Sequence, residues 1–180
     1  MKRICYYAIP SLGSWDKTLK NLNPEDIDPF ICTHLIIAFA KIQNNTIQPK
    51  KFSDVEIYKK VLSLKKINPE LKVMLSLNSG FQNIVKDNDT IKLFAYNAAQ
   101  FLHSNEFDGL DLDWEFPGWP ATQNNQIERS RFTHLVHLLR NNFKFHHPAP
   151  FILSLAVAAP LTIISRSYEI SKLAKYVILK

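Results

Sequence analysis

The sequence predicts an α/β chain of the (β/α) barrel type, and three observations carry that prediction. Apolar segments with strand character alternate with helical patterns, which means βαβ units and a parallel sheet. The strands are continuous apolar runs, such as LIIAFA (35–40) and FILSLAVAA (151–159), as required when both faces of a sheet are covered. No Gly-rich phosphate fingerprint follows the first strand, which disfavours a dinucleotide-binding doubly wound sheet.

In chain order, the first strand is read over Arg3–Ala8 and the second over His34–Ile42. Ser53-Asp54-Val55-Glu56 is a capping box; it opens a helix carrying Ile57, Val61, Leu62 and Leu64, stopped by Asn68-Pro69. Lys72–Leu77 is the third strand. Ile91, Phe94, Ala95, Ala98, Phe101 and Leu102 recur at helical spacing. Gly109–Glu115 is the fourth strand. A further helix carries Phe132, Leu135, Val136, Leu139 and Phe143 and ends before His147-Pro148. Phe151–Val157 is the fifth strand, and a short helix is expected over Ser167–Tyr176.

Length and composition bound the function classes. The 180 residues suit one domain, and 46% hydrophobic with 21% charged residues reads as globular. The net charge of +6 comes from dispersed lysines, with pairs at 50–51, 59–60 and 65–66. No basic helix or aromatic-spaced basic stripe accompanies it, so no nucleic-acid partner is expected. No apolar run approaches the ~20 residues of a membrane span. The start, MKRICYYAIP, lacks the apolar stretch of a signal peptide; the chain reads as a mature form or as one never exported. Cys5 and Cys32 cannot make an all-cysteine zinc site, but could form one disulfide in an extracellular setting. Asn44 and Asn88 fit the glycosylation acceptor pattern. His134-x-x-His137 and His146-His147 have no acidic or cysteine partner in sequence and read as helix-face or surface residues; no metal or cofactor is expected.

The chemistry concentrates in FDGLDLDWEFPGW (107–119). In a strand, residues two apart share a face, so Asp111, Asp113 and Glu115 stand in a row while Leu110, Leu112 and Trp114 share the other side. The row lies where its strand ends, and barrel chemistry sits at the C-terminal ends of strands. Clustered, inward-facing carboxylates repel and are desolvated, so at least one is expected to stay protonated above its ordinary pKa. The outermost, Glu115, could then donate a proton to a leaving oxygen while a neighbour stays anionic, as in glycoside hydrolysis. Trp114 and Trp119, with Tyr6 and Phe39 at other strand ends, offer flat surfaces for sugar rings. For each aromatic the alternative is core packing. For the acid row it is a structural network or a divalent-cation site.

FDGLDLDWE resembles the fourth-strand signature DGxDxDWE of glycoside hydrolase family 18, the chitinases and chitinase-like lectins. ICYY at strand 1, IDPFICTHLIIAFA at strand 2, and LSLAVAA with SYEISKLAKY near the end agree with it. The likeness is closest to the animal chitinases and runs from Ile4 to Tyr176. It implies a (β/α)8 TIM-barrel type fold acting on chitin or chito-oligosaccharides without a cofactor. Glu115 would protonate the glycosidic oxygen, and the substrate's own N-acetyl carbonyl would act as nucleophile, with retention. Asp113 would orient that acetamido group, and Asp111 would sit deeper and modulate Asp113. Asp108 is read as structural. Tyr6 and Phe39 match positions lining the innermost sugar site. Cys5 and Cys32 match a family disulfide, which implies an extracellular, secreted origin.

The sequence departs from the family pattern at three places. After strand 3 the family has Gly-Gly-Trp; here Asn78-Ser79-Gly80 stand there, with Phe81 as a possible substitute platform. The aromatic expected after strand 1 falls near Pro10, with Trp15 out of register. Strands 6 to 8 of the family, with their sugar-contacting residues, have no counterpart; YVILK (176–180) is where strand 6 would begin. The chain therefore reads as one catalytic domain over residues 1–180, incomplete at its C-terminus and truncated to about five βα units. The alternatives to a chitinase are a non-hydrolytic chitin-binding lectin and an inactive truncated isoform. Oligomeric state is left open.

Overall fold

The computed structural model describes residues 1–10, 22–122, 125–146 and 148–179. Trp15 and His147, named above, lie outside these described residues. Among the described residues seven strands form one sheet: β1 (Ile4–Ala8), β2 (His34–Gln43), β3 (Thr46–Pro49), β4 (Lys72–Leu77), β5 (Gly109–Leu112), β6 (Ile152–Leu155) and β7 (Ile178–Leu179). The order is β1-β2-β4-β5-β6-β7, all parallel, with β3 antiparallel on β2. The expected α/β architecture is present, with a sixth parallel strand where YVILK was read as a beginning.

Helices α1 (Asp54–Ser63), α2 (Phe81–Ile84), α3 (Asn88–Ser104), α4 (Glu128–Phe143), α5 (Leu161–Ser167) and α6 (Ile170–Leu173) connect the strands. One sheet face presents Leu35, Ile37, Val73, Leu75, Leu110, Leu112, Leu153 and Leu155 to Phe94, Ala98, Leu102, Phe132, Leu135 and Leu139 of α3 and α4. All of these are buried. Burial of one such aliphatic or Phe side chain contributes about 1.5–3 kcal/mol, so this layer anchors the sheet. The opposite face carries the second residue set of each strand. Ala38, Ser76, Asp111 and Ser154 line up across it in one register row.

Local differences from the sequence reading have physical causes. Ser53 is itself helical in backbone and caps nothing; instead Asp54 reaches back to accept from the Lys51 amide at 2.9 Å, so the helix is held one turn earlier than the capping box implied. β3 escaped notice although Asn44-Asn45 sits between Gln43 and Thr46, which pair across the hairpin. Both asparagines adopt positive φ (52° and 55°), the conformation a two-residue hairpin turn demands. The single helix expected over 167–176 is two short ones, α5 and α6, and α5 begins upstream at Leu161. The fourth strand ends at Leu112 rather than Glu115. The Asp113 amide still donates to Leu77 O at 2.8 Å, and the chain then turns away.

The disulfide Cys5–Cys32 forms, with Cα atoms 6.1 Å apart. It ties β1 to the segment entering β2. Asp108, on the far side from the acid row, accepts from the Val73 amide at 2.8 Å and pairs with Lys65 at 2.8 Å. That is the structural role expected of it.

Candidate active site

β5 lies in the middle of the sheet, so Asp111 at its third position is walled by strands on both sides. It has no solvent exposure. A buried carboxylate is costly unless its oxygens are bonded, and here three hydroxyls bond them. Tyr6 from β1 donates to Oδ2 at 2.9 Å, Ser76 from β4 to Oδ2 at 2.8 Å, and Ser154 from β6 to Oδ1 at 2.7 Å. Ser76 and Ser154 went unnamed in the sequence reading. A signal for them existed: each is the middle residue of an identical Leu-Ser-Leu triplet inside an apolar strand. A hydroxyl at that place needs a partner across the sheet.

From Asp111 the row emerges toward solvent: Asp113 is half-buried and Glu115 exposed. The termination of β5 at Leu112 is what allows this gradient, since a longer strand would keep all three acids against neighbouring strands. Two tyrosines bracket the row. Burial, then the charge of Asp111 and its hydrogen bond, then the charge of Asp113 push the Tyr6 phenol well above its ordinary value. Burial, then chiefly the charge of Asp113, do the same to Tyr168. Both therefore remain hydroxyl donors at neutral pH. Tyr168 is a further residue the sequence reading passed over. Its hydroxyl donates to Trp114 O at 3.1 Å, and its own carbonyl accepts from Arg129 at 3.1 Å, so it braces the backbone between Asp113 and Glu115.

The aromatic expectations divide. Tyr6 is 44% exposed on the acid-bearing face. Phe39, at an irregularity of the β2–β4 register between Ala38 and Ala40, is partly exposed, with Lys50 Nζ 5.3 Å from its ring centroid. Trp114 and Phe81 are not sugar platforms. Trp114 follows the alternation that puts Leu110 and Leu112 on the helix side. It is buried there, stacked on Phe81 with centroids 5.1 Å apart and planes 3° apart, while Phe132 meets both edge-on. For Trp114 this is the core packing given as the alternative, and Phe81, read as a substitute platform, is buried beside it. Trp119 is 37% exposed, with the Arg166 guanidinium 5.7 Å from its ring centroid.

The loop after β4 keeps one glycine where the backbone requires it. Gly80 has φ +90°, and a methyl there would overlap the carbonyl oxygen of Ile42. Among the described residues no group of three or more His, Cys, Asp or Glu converges as a metal site. His134 is held below its ordinary pKa by burial, then by His137 and Lys92. A cleft of about 800 Å³, lined by Tyr58, Lys65, His103 and Phe107 among others, lies beyond the N-terminal end of β5, away from the acids.

A buried, hydroxyl-bonded carboxylate leading to an exposed glutamate on an open strand-end face suits proton donation to a bound glycosidic oxygen. The chain is also similar to known proteins. Human Chitinase-3-like protein 2 is 35% identical over 188 residues, matching 97% of this chain and 45% of its own length. Chitotriosidase-1 of Mus musculus is 30% identical over 184 residues, with 97% and 39% covered. Among solved structures, human YKL-39, described as a pseudo-chitinase with retained chitooligosaccharide binding properties, superposes with a TM-score of 0.84 at 33% identity. The Group IV chitinase of Ostrinia furnacalis gives 0.84 at 28% identity. Each superposition covers 99% of this chain and 50% of the other. The chain thus spans about half the length of the proteins it matches, and the parallel α/β sheet is that of their barrels. The pattern of glycosyl hydrolases family 18 matches residues 2–178, and the chain belongs to that family.

Proposed function

We propose that residues 1–180 belong to one catalytic domain that cleaves β-1,4-linked N-acetylglucosamine polymers, with Glu115 as general acid and base. The observation that carries this is the gradient of the acid row: Asp111 buried and bonded by three hydroxyls, Asp113 half-buried, Glu115 open to substrate. Glu115 gives its proton to the glycosidic oxygen as the C1–O bond breaks. The substrate's acetamido carbonyl oxygen bonds to C1 and forms an oxazolinium ion, which Asp113 orients and stabilises. Water, deprotonated by Glu115, then attacks C1 and displaces the carbonyl, so configuration is retained. Tyr6 and Phe39 line the sugar nearest the acids. No cofactor enters the scheme. The Cys5–Cys32 disulfide favours an oxidising, extracellular setting.

A second reading, a non-hydrolytic chito-oligosaccharide binder, draws on one observation. Burial of Trp114 and Phe81 removes two aromatic surfaces from the groove, and a thinner groove harms transition-state positioning before it harms loose contact. Proton NMR of fresh products from chitotetraose separates the two. Initial appearance of the β anomer supports the proposed hydrolysis. The α anomer first would exclude the retaining route, and binding without products would favour the second reading.

A further inference from the structure

Glu115 stands outside the strand that carries its row. β5 ends at Leu112, and the Asp113 amide adds a ladder bond to Leu77 O at 2.8 Å. Glu115 follows two residues later and is exposed, so neither strand pairing nor burial fixes its direction. A general acid nevertheless has to reach its oxygen within about 2.6–3.2 Å, and a misplacement of about 1 Å can cost about 100-fold in rate. Whatever orients the main chain just before Glu115 therefore bears on the chemistry.

Trp114, the residue between the two acids, is held at both ends. Its ring is stacked on Phe81 and met edge-on by Phe132. Its carbonyl oxygen accepts from the Tyr168 hydroxyl at 3.1 Å. That carbonyl and the Glu115 amide share one rigid peptide plane, so a bond that fixes the carbonyl also fixes the plane from which Glu115 departs. Tyr168 is well placed for this duty. It is 2% exposed, its ring meets Phe132 with centroids 6.1 Å apart, and its own carbonyl accepts from Arg129 at 3.1 Å. The main chain at Ala158, just past β6, bonds to the same hydroxyl. One phenol thus ties the loop that leaves β5 to the loop that leaves β6. Burial first, then the charge of Asp113 and, more weakly, that of Glu115 raise its pKa, which keeps it a donor through neutral pH.

We propose that Tyr168 is a positioning residue for hydrolysis, its hydrogen bond to the Trp114 carbonyl setting the direction in which Glu115 leaves the main chain. The inference rests on the reading of Glu115 as the acid. Tyr168 acts through the peptide, not on the sugar, so its loss is felt in the chemical step rather than in ground-state binding.

Tyr168→Phe keeps the ring and its packing and deletes only the hydroxyl. The test is the concentration dependence of fluorophore release from labelled chitotriose by the unmutated chain, by Tyr168→Phe and by Glu115→Gln, well below the Tm of each protein, with near-UV circular dichroism to measure the folded fraction. The expected result for Tyr168→Phe is a kcat about 10- to 100-fold lower at little-changed KM, with the near-UV spectrum retained. An unchanged kcat with a lowered Tm would mark a purely structural residue and overturn the assignment. So would a raised KM at unchanged kcat, or a kcat that falls only in step with the folded fraction. Release that Glu115→Gln abolishes and Tyr168→Phe leaves intact overturns this role alone. If the folded, unmutated chain releases nothing, the glycosidase reading itself falls and takes this role with it.

Discussion

At Asp111 the candidate site and the stability of the fold meet in one side chain. Its carboxylate is fully buried and holds hydroxyls from β1, β4 and β6 together. Asp111→Ala strands Ser76 and Ser154 without their acceptor, and should destabilise the fold by about 2–3 kcal/mol, read as a lower urea midpoint at unchanged m. Tyr6 adds a pH signature. Burial, then the Asp111 charge, raise its folded pKa above the unfolded value of 10.0. A raised folded pKa means the unfolded chain loses its proton first, so the contribution is complete below about pH 10 and fades as pH rises further. Tyr6→Phe should therefore flatten part of the loss of stability above pH 10 in thermal melts, at a cost near neutrality of about 1 kcal/mol for the lost hydrogen bond.

The elements decide where those residues stand. β5 is short and central, and Gly109 at its start lies so close to β6 that a methyl would overlap the Ile152 carbonyl oxygen. Gly109→Ala should separate two strands that carry Asp111 and Ser154, costing about 3 kcal/mol or more and lowering the unfolding midpoint accordingly. Much at this scale was legible in advance. Strand runs such as Lys72–Leu77 and the apolar period of α3 report burial directly, because a residue's face follows from its spacing. The acid row was legible for the same reason. What escaped depended on partners distant in sequence. Ser76 and Ser154 have meaning only once Asp111 lies between them, and Tyr168 only once its hydroxyl reaches Trp114 O. Trp114 was offered to the sugar as a flat aromatic surface, with core packing as the alternative, although the period of its strand had already set it on the face opposite the acid row.

At the scale of the molecule, one covalent link and one open face matter most. The Cys5–Cys32 bridge closes a separation of 27 residues at the edge of the sheet. Constraint of the unfolded chain over a loop of that size is worth about 3–4 kcal/mol, so reduction or Cys32→Ser should lower the midpoint of unfolding by a corresponding amount in otherwise identical buffer. The acid-bearing face is built from six parallel strands, with hydroxyl and carboxylate groups concentrated on the central ones. That layout separates the apolar layer that folds the chain from the face that carries the acid row.

The most direct test of the central claim is fluorophore release from a labelled chitotriose by this chain and by its Glu115→Gln variant, each verified as folded by near-UV circular dichroism. Removal of the general acid should lower the rate by about 100-fold or more while chitotriose binding persists. Equal release by both proteins, or none from the folded unmutated chain, would contradict the assignment of Glu115 as the acid of a working glycosidase.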